Sequence, residues 1–495
     1  MKFKKIFRWF MATGLFFGPQ VASLTPSGLT GGNNSYITSV YAATTEITPT
    51  SWADLVQQIA KAGDDEITVN IGEGINGADQ TEALMIKAGQ KVRFVGTGTL
   101  TGKGLDSISV DKGAELTIDG PTVTGAQMNI QGQLTIQSGG IKDTKLPGAI
   151  VNVEDGGKLY LKGGEISGNE SLALSDSDDT NFSVIKLEDG TFEMDAGKMH
   201  QNKNLQFGGA IGAWGEHSSI TINGGEISNN QAIHPQRYAY GGAIYMRGGN
   251  LKINQGVLKE NIAERGGAVA IDNTTFTMIN GLIEGNHNGD YAGVGGGLYS
   301  INESKITIDG GTFNQNKANG AGGGLFISNS HTIINGGNYI KNESSKSGGA
   351  LALFKSIDSA DSVGITEIHA GNFYENIATG FWGGGAIYND ARSTLKMYNT
   401  LIKENTSEKP FLIGIGVNGK SKPASLQGGG VWNCPTGEMT TYINKGVAIF
   451  DNTAADANQG KYLGAGDDVV NIQKEGTNPA LEITSRLLGL SLIHI

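Results

Sequence analysis

Residues 306–316, ITIDGGTFNQN, with Gly322-Gly323-Gly324-Leu325 following, decide the fold. The passage reads as an alternating strand, a glycine corner, a second short strand, an asparagine and then a second glycine corner. The same phrase recurs as LYLKGGEISGN ending at Asn169, ITINGGEISNN at Asn230, LKINQGVLKEN at Asn261, FTMINGLIEGN at Asn286, TIINGGNYIKN at Asn342, TEIHAGNFYEN at Asn376 and LKMYNTLIKEN at Asn405, with Asn316 closing the first example. An apolar residue stands eight places before each asparagine: Leu161, Ile222, Ile253, Met278, Ile308, Ile334, Ile368 and Met397. A second mark, two glycines or Gly-Ala and then an aliphatic residue, is expected after every one of these asparagines. Its aliphatic residues are Ile211, Ile244, Val269, Leu298, Leu325, Leu351, Ile387 and Val431.

Self-similarity at 20 to 50 residues signals a stacked architecture, and a strand period excludes helical solenoids. One such unit cannot bury its own apolar row. Stacking does bury it, and parallel pairing at a rise of roughly 4.8 Å satisfies the backbone groups. Glycine permits positive φ where three short strands turn a triangle, and an asparagine at the same corner of each coil can bond to the turn backbone. The expected fold is all-β, a right-handed parallel β-helix of roughly fourteen to sixteen coils. A leucine-rich horseshoe needs a denser Leu pattern, and a propeller blade needs four antiparallel strands per period.

Around this rod the chain divides further. Lys2, Lys4, Lys5 and Arg8 precede an apolar run from Trp9 to Gly18, so residues 1–42 read as a signal peptide cleaved after Ala42. Residues 43–110 read as a capping helix, from Ser51 to about Ala62, and the first coils. The β-helix proper is expected over 111–472. Residues 473–495 read as a truncated C-terminal segment whose last six residues, LSLIHI, resemble a translated sequencing adapter, so a surface anchor is expected beyond them. With 77 Gly but 10 Pro in 495 residues the chain is not collagen. A net charge of −11 argues against nucleic-acid binding. Its lone cysteine, Cys434, cannot make an intramolecular disulfide, so ladders and packing hold the exported chain together.

The paired marks, GGA-aliphatic and aromatic-or-aliphatic-x-x-Asn (Phe313 to Asn316, Phe373 to Asn376, Ile227 to Asn230), resemble the repeats of polymorphic membrane proteins of the chlamydial type and of bacterial β-helix surface proteins. The resemblance covers about residues 116–455. It implies surface display and adhesion and brings no catalytic residue. Ile, Leu or Tyr often stands where that family prefers Phe, and no outer-membrane barrel is visible.

No catalytic residue, cofactor or metal site is assigned from the sequence. The Asp pairs Asp64-Asp65, Asp178-Asp179 and Asp467-Asp468 lack the flanking segments of a pectin-cleaving hydrolase. Asp176, Asp178 and Asp179 are spaced like a loose calcium loop but lack its glycine and closing glutamate. The histidines are scattered, and the glycine clusters open strands where a phosphate cradle opens a helix. The loop lengths say more. Insertions at about 170–183, 231–240, 287–294 and 406–427 all fall between an asparagine and the next glycine pair, hence on one edge of the rod. They carry Tyr238, Tyr240, Tyr291, Phe381, Trp382 and Phe411, residues suited to sugar rings or a protein partner. The expected function is a secreted or cell-surface adhesin-like protein binding a host-surface protein or glycan. The alternative is a polysaccharide lyase or glycoside hydrolase of the pectin-lyase-like fold.

Overall fold

The computed structural model describes residues 45–63, 66–173, 183–289, 292–355, 364–380, 382–408, 412–417, 420–425, 428–434, 437–454, 467–471 and 481–483. The central coils follow the plan of the one that starts at Leu298. Leu298–Ile301 belongs to a first sheet, Lys305–Ile308 to a second and Thr312–Asn314 to a third, and Lys317–Ala318 forms a short fourth ladder. Each strand pairs in parallel with its counterpart in the next coil: Leu298 with Leu325, Ile306 with Thr332, Phe313 with Tyr339 and Lys317 with Glu343. The protein is a parallel β-helix. Its second sheet runs unbroken from Thr45–Ile47 to Leu481–Ile483. The fourth ladder is an addition to the expected triangle, built from only two or three residues after each asparagine corner.

Alternation places the core. In Lys305–Ile308, Ile306 and Ile308 are buried while Lys305 and Thr307 face outward. Stacked coil on coil, such residues make one apolar column from Ile67 to Met439, and this burial is the main stabilising term. Within it Phe313, Tyr339 and Phe373 stack face to face at 5.5 and 4.5 Å, each three residues before a corner asparagine.

The helix Trp52–Lys61 stands between the strands Thr45–Ile47 and Glu66–Asn70. Ser51 Oγ accepts from Asp54 N at 3.2 Å, the expected N-cap bond. Its apolar face, Trp52, Leu55, Val56 and Ile59, joins the core. Gln90 Nε2 donates to Ile59 O and Ala62 O at 3.0 and 3.1 Å, tying the helix end to the coil beside it. The first coils are less regular than the rest: the strands Thr99–Val110 and Glu115–Ile130 run through corners and carry register shifts. Among the described residues no helix is long and apolar enough to cross a membrane, which says nothing of a strand barrel.

Candidate functional site: an aromatic belt beside the loop edge

Each coil has two edges of opposite character. At the first, the eight asparagines picked out by spacing lie in one buried column. Asn342 shows the pattern: Nδ2 donates to Phe313 O at 2.9 Å and to Asn376 Oδ1 at 3.0 Å, while Oδ1 accepts from Asn316 N and Nδ2 at 3.1 and 3.0 Å. All four bonding positions of the carboxamide are filled. The column holds two members beyond those eight, Asn202 and Asn452. It begins at Thr144, whose N–H donates to Asn169 Oδ1, and ends where Asn452 N and Nδ2 donate to Asp468 Oδ1.

The residue just before each column asparagine is left-handed, and it is usually not glycine. Gln201, Asn229, Glu260, Gln315, Lys341, Glu375 and Glu404 take φ of 53 to 58°. Glycine stands there at only some coils, such as Gly168 and Gly285, whereas the corner between the second and third strands is turned by glycines such as Gly311 and Gly337. The completed amide bonding across the turn overrides the preference for glycine.

The glycine pair belongs to the second edge. Gly241 has φ 66°, and a Cβ on Gly242 would collide with Gly267 O and Ile262 N, because the short fourth ladder of the next coil passes there. The third position is small for the same kind of reason: at Gly324 a Cβ would stand 3.3 Å from Asn342 Cγ of the column. The expected glycine pair after Asn169 is absent. That coil turns through Ser183-Val184 into Ile185–Glu188, and Gly208-Gly209-Ala210 follows Asn202. The insertion after Asn405 contains an antiparallel pair, Leu412–Val417 with Lys420–Ser425.

Just past the glycine edge, the outward residue of each first-sheet strand is the one following the aliphatic mark. In register these are Tyr245, Ala270, Tyr299, Phe326, Ala352, Tyr388 and Trp432. Their rings join into a belt. Tyr299 stacks on Phe326 at 5.5 Å, Phe326 on Phe354 at 4.9 Å, Phe354 on Tyr388 at 5.4 Å and Tyr388 on Trp432 at 4.6 Å. At the other end Phe207, Trp214 and Tyr240 gather around Tyr245 at 4.7, 5.6 and 5.9 Å. At roughly 4.8 Å per coil the belt extends about 34 Å along the rod. Although they point away from the core, Tyr245, Tyr299, Tyr388 and Trp432 are only 4 to 6% exposed. Burial pushes the phenols of Tyr245, Tyr299 and Tyr388 above their ordinary range.

Of the sequence-chosen aromatics, Tyr240 is a belt member, stacked on Phe207 at 5.6 Å. Tyr238 and Trp382 stand at the loop edge and are 53% and 47% exposed. Tyr291, Phe381 and Phe411 lie outside the described residues, as do Asp176, Asp178 and Asp179. Among the described residues no cluster of three metal-ligating side chains occurs.

Two ionisable groups border the belt. Arg265 stacks its guanidinium 3.8 Å from the Tyr238 ring and donates from Nη1 to Tyr299 Oη at 3.0 Å. Asp390 accepts from Tyr388 Oη at 3.0 Å, and burial raises its carboxyl above the ordinary aspartate range, opposed by bonds from Ala391 N and Tyr388. The belt was legible in one respect: an aromatic follows the aliphatic mark at Ile244, Leu298, Leu325, Ile387 and Val431. No family, curated protein or solved structure matches the chain.

Proposed function

We propose that the protein is an exported surface-display protein of the adhesin type, in which the β-helix is a rigid stalk and the belt with its loop edge binds a ligand, a surface glycan before all. The observation that carries this reading is the continuous row of rings from Trp214 to Trp432 lying beside the edge from which the loops emerge. The belt rings are themselves buried and form the floor, so the surface offered to the apolar faces and hydroxyls of an extended saccharide is the rim, where exposed rings and polar groups stand together. The flanking exposed rings, Tyr238 and Trp382, are the first contacts for such a chain. Binding of the full chain to an immobilised glycan panel, with Tyr238→Ala and Trp382→Ala alongside, tests it. Loss of binding in both variants at unchanged melting temperature is expected; undiminished binding in both would overturn the belt as ligand surface.

Asp390 favours a second reading, glycoside hydrolysis, because a carboxyl whose pKa is raised by burial beside rings is shifted in the direction a general acid requires. Its bonded partner is a phenol, whereas hydrolysis needs a second carboxylate on the opposite side of the scissile bond. Release of reducing ends that Asp390→Asn abolishes would establish this reading over binding alone.

A further inference from the structure

The loop edge has a notch, and a cation lies at its foot. Ten residues separate Asn230 from Gly241 and eight separate Asn286 from Gly295, yet only Ile262-Ala263-Glu264-Arg265 stand between Asn261 and Gly266. The short segment is held between its longer neighbours: Arg265 N donates to Ala239 O at 2.9 Å, and Val294 N donates to Glu264 O at 3.1 Å. Coils are roughly 4.8 Å apart, so the backbones of the two flanking coils stand about 10 Å apart, centre to centre, with the short segment between them.

At its foot the half-buried Arg265 guanidinium is surrounded by rings, with Tyr238 at 3.8 Å and Tyr240 and Tyr299 at 5.6 Å. Among the described residues no carboxylate lies within ion-pair distance of it, although the chain carries 48 acidic residues. Its neighbour Arg247 does have such a partner, Asp272 at 3.7 Å. Glu264 acts on this cation only from beyond ion-pair distance, so a guanidinium withdrawn from water among aromatic faces still has room for a closer counter-charge. One N–H is spent on Tyr299 Oη, which leaves the rest of the planar fork and the Tyr299 O–H to donate. A carboxylate matches that fork in shape and charge.

We propose that this notch is an anion site, in which Arg265 and Tyr299 bind the carboxylate of an acidic saccharide while Tyr238 covers its ring. The proposal rests on the belt as ligand surface and adds the ligand's charge class.

The test titrates the full chain with oligogalacturonate, with a sulfated glycosaminoglycan oligomer, with a neutral oligosaccharide of equal length, and with sodium glucuronate against glucose. The same titrations are run on Arg265→Gln, Arg265→Lys and Tyr299→Phe, with melting temperature as the fold control. The expected result is at least about tenfold tighter binding of oligogalacturonate than of the neutral oligomer. Arg265→Gln should remove that preference, Arg265→Lys should restore part of it, and Tyr299→Phe should weaken it a few-fold. A preference that survives Arg265→Gln, or none in the parent chain, overturns the anion site. Tighter binding of the sulfated oligomer overturns the carboxylate assignment. Neutral binding that Arg265→Gln leaves intact but Trp382→Ala abolishes keeps the belt while the anion site falls. Arg265-dependent binding of glucuronate with no binding of any oligomer keeps the anion site while the glycan track falls.

Discussion

The asparagine edge and the glycine edge of the same coil differ in what they permit. At the first, the amides from Asn202 to Asn405 fill all their bonding positions with the coils on either side, and the side chains from Asn169 to Asn405 are fully buried. At the second, the foot is fixed by the approach of the next coil at Gly242, but the chain leading into it ranges from four residues before Gly266 to twenty-two before Gly428. A solenoid can thus keep its register at one edge while it varies its surface at the other.

The comparison breaks most severely if the foot of the loop edge yields. Gly242→Val should cost about 3 kcal/mol or more, because backbone occupies the space of its side chain. A two-residue insertion in 233–239, only a few positions away, should cost under about 0.6 kcal/mol by loop-closure entropy. Chemical denaturation of the pair measures both; equal costs would erase the distinction between foot and loop. Next in size, Asn342→Ala should destabilise by about 1 to 3 kcal/mol, since it strands Asn316 Nδ2 and Phe313 O in the core. An unchanged denaturation midpoint would demote the column to decoration.

Asp390 sharpens the contrast by pH. Its folded carboxyl is raised, so the folded state holds the proton more tightly than the unfolded chain. That contribution is fully present below the ordinary aspartate value and is lost as pH rises through the raised one. Asp390→Asn should flatten this decline in melting temperature just above the ordinary range, and an identical slope in both proteins would contradict the assignment. A smaller effect is expected at Lys341, left-handed at φ 53°. Lys341→Gly should stabilise by about 0.5 to 1 kcal/mol, the relieved strain outweighing a surface ion pair with Glu375. Smallest of all, Trp382→Ala should leave stability within about 0.5 kcal/mol while affecting binding.

The solenoid was legible because its marks recur at fixed offsets, and the misses have local causes. Asn452 escapes the eight-residue rule because a three-residue 3-10 turn, Ile443–Lys445, is inserted between the second and third sheets of its coil. Asn202 keeps the eight-residue offset from Met194 in FEMDAGKMHQN, so the pattern itself contained it. The belt is written in single letters after the aliphatic marks, yet alternation alone assigns those positions to solvent. Their burial comes from rings on neighbouring coils and from Phe207 and Tyr240, which no local rule brings together. Arg265 was unreadable for a related reason: its meaning lies in the loops of the coils before and after it.

Hydrogen exchange measured by mass spectrometry on the full chain, with and without oligogalacturonate, tests the central claim most directly, that one edge is sealed and the other receives ligand. The account predicts slow exchange in peptides spanning Asn316, Asn342 and Asn376 in both conditions. It predicts fast exchange over 233–239 in the free protein, slowed there and at Arg265 when the oligomer is added. Equal exchange at the two edges, or ligand protection confined to the asparagine edge, would contradict it.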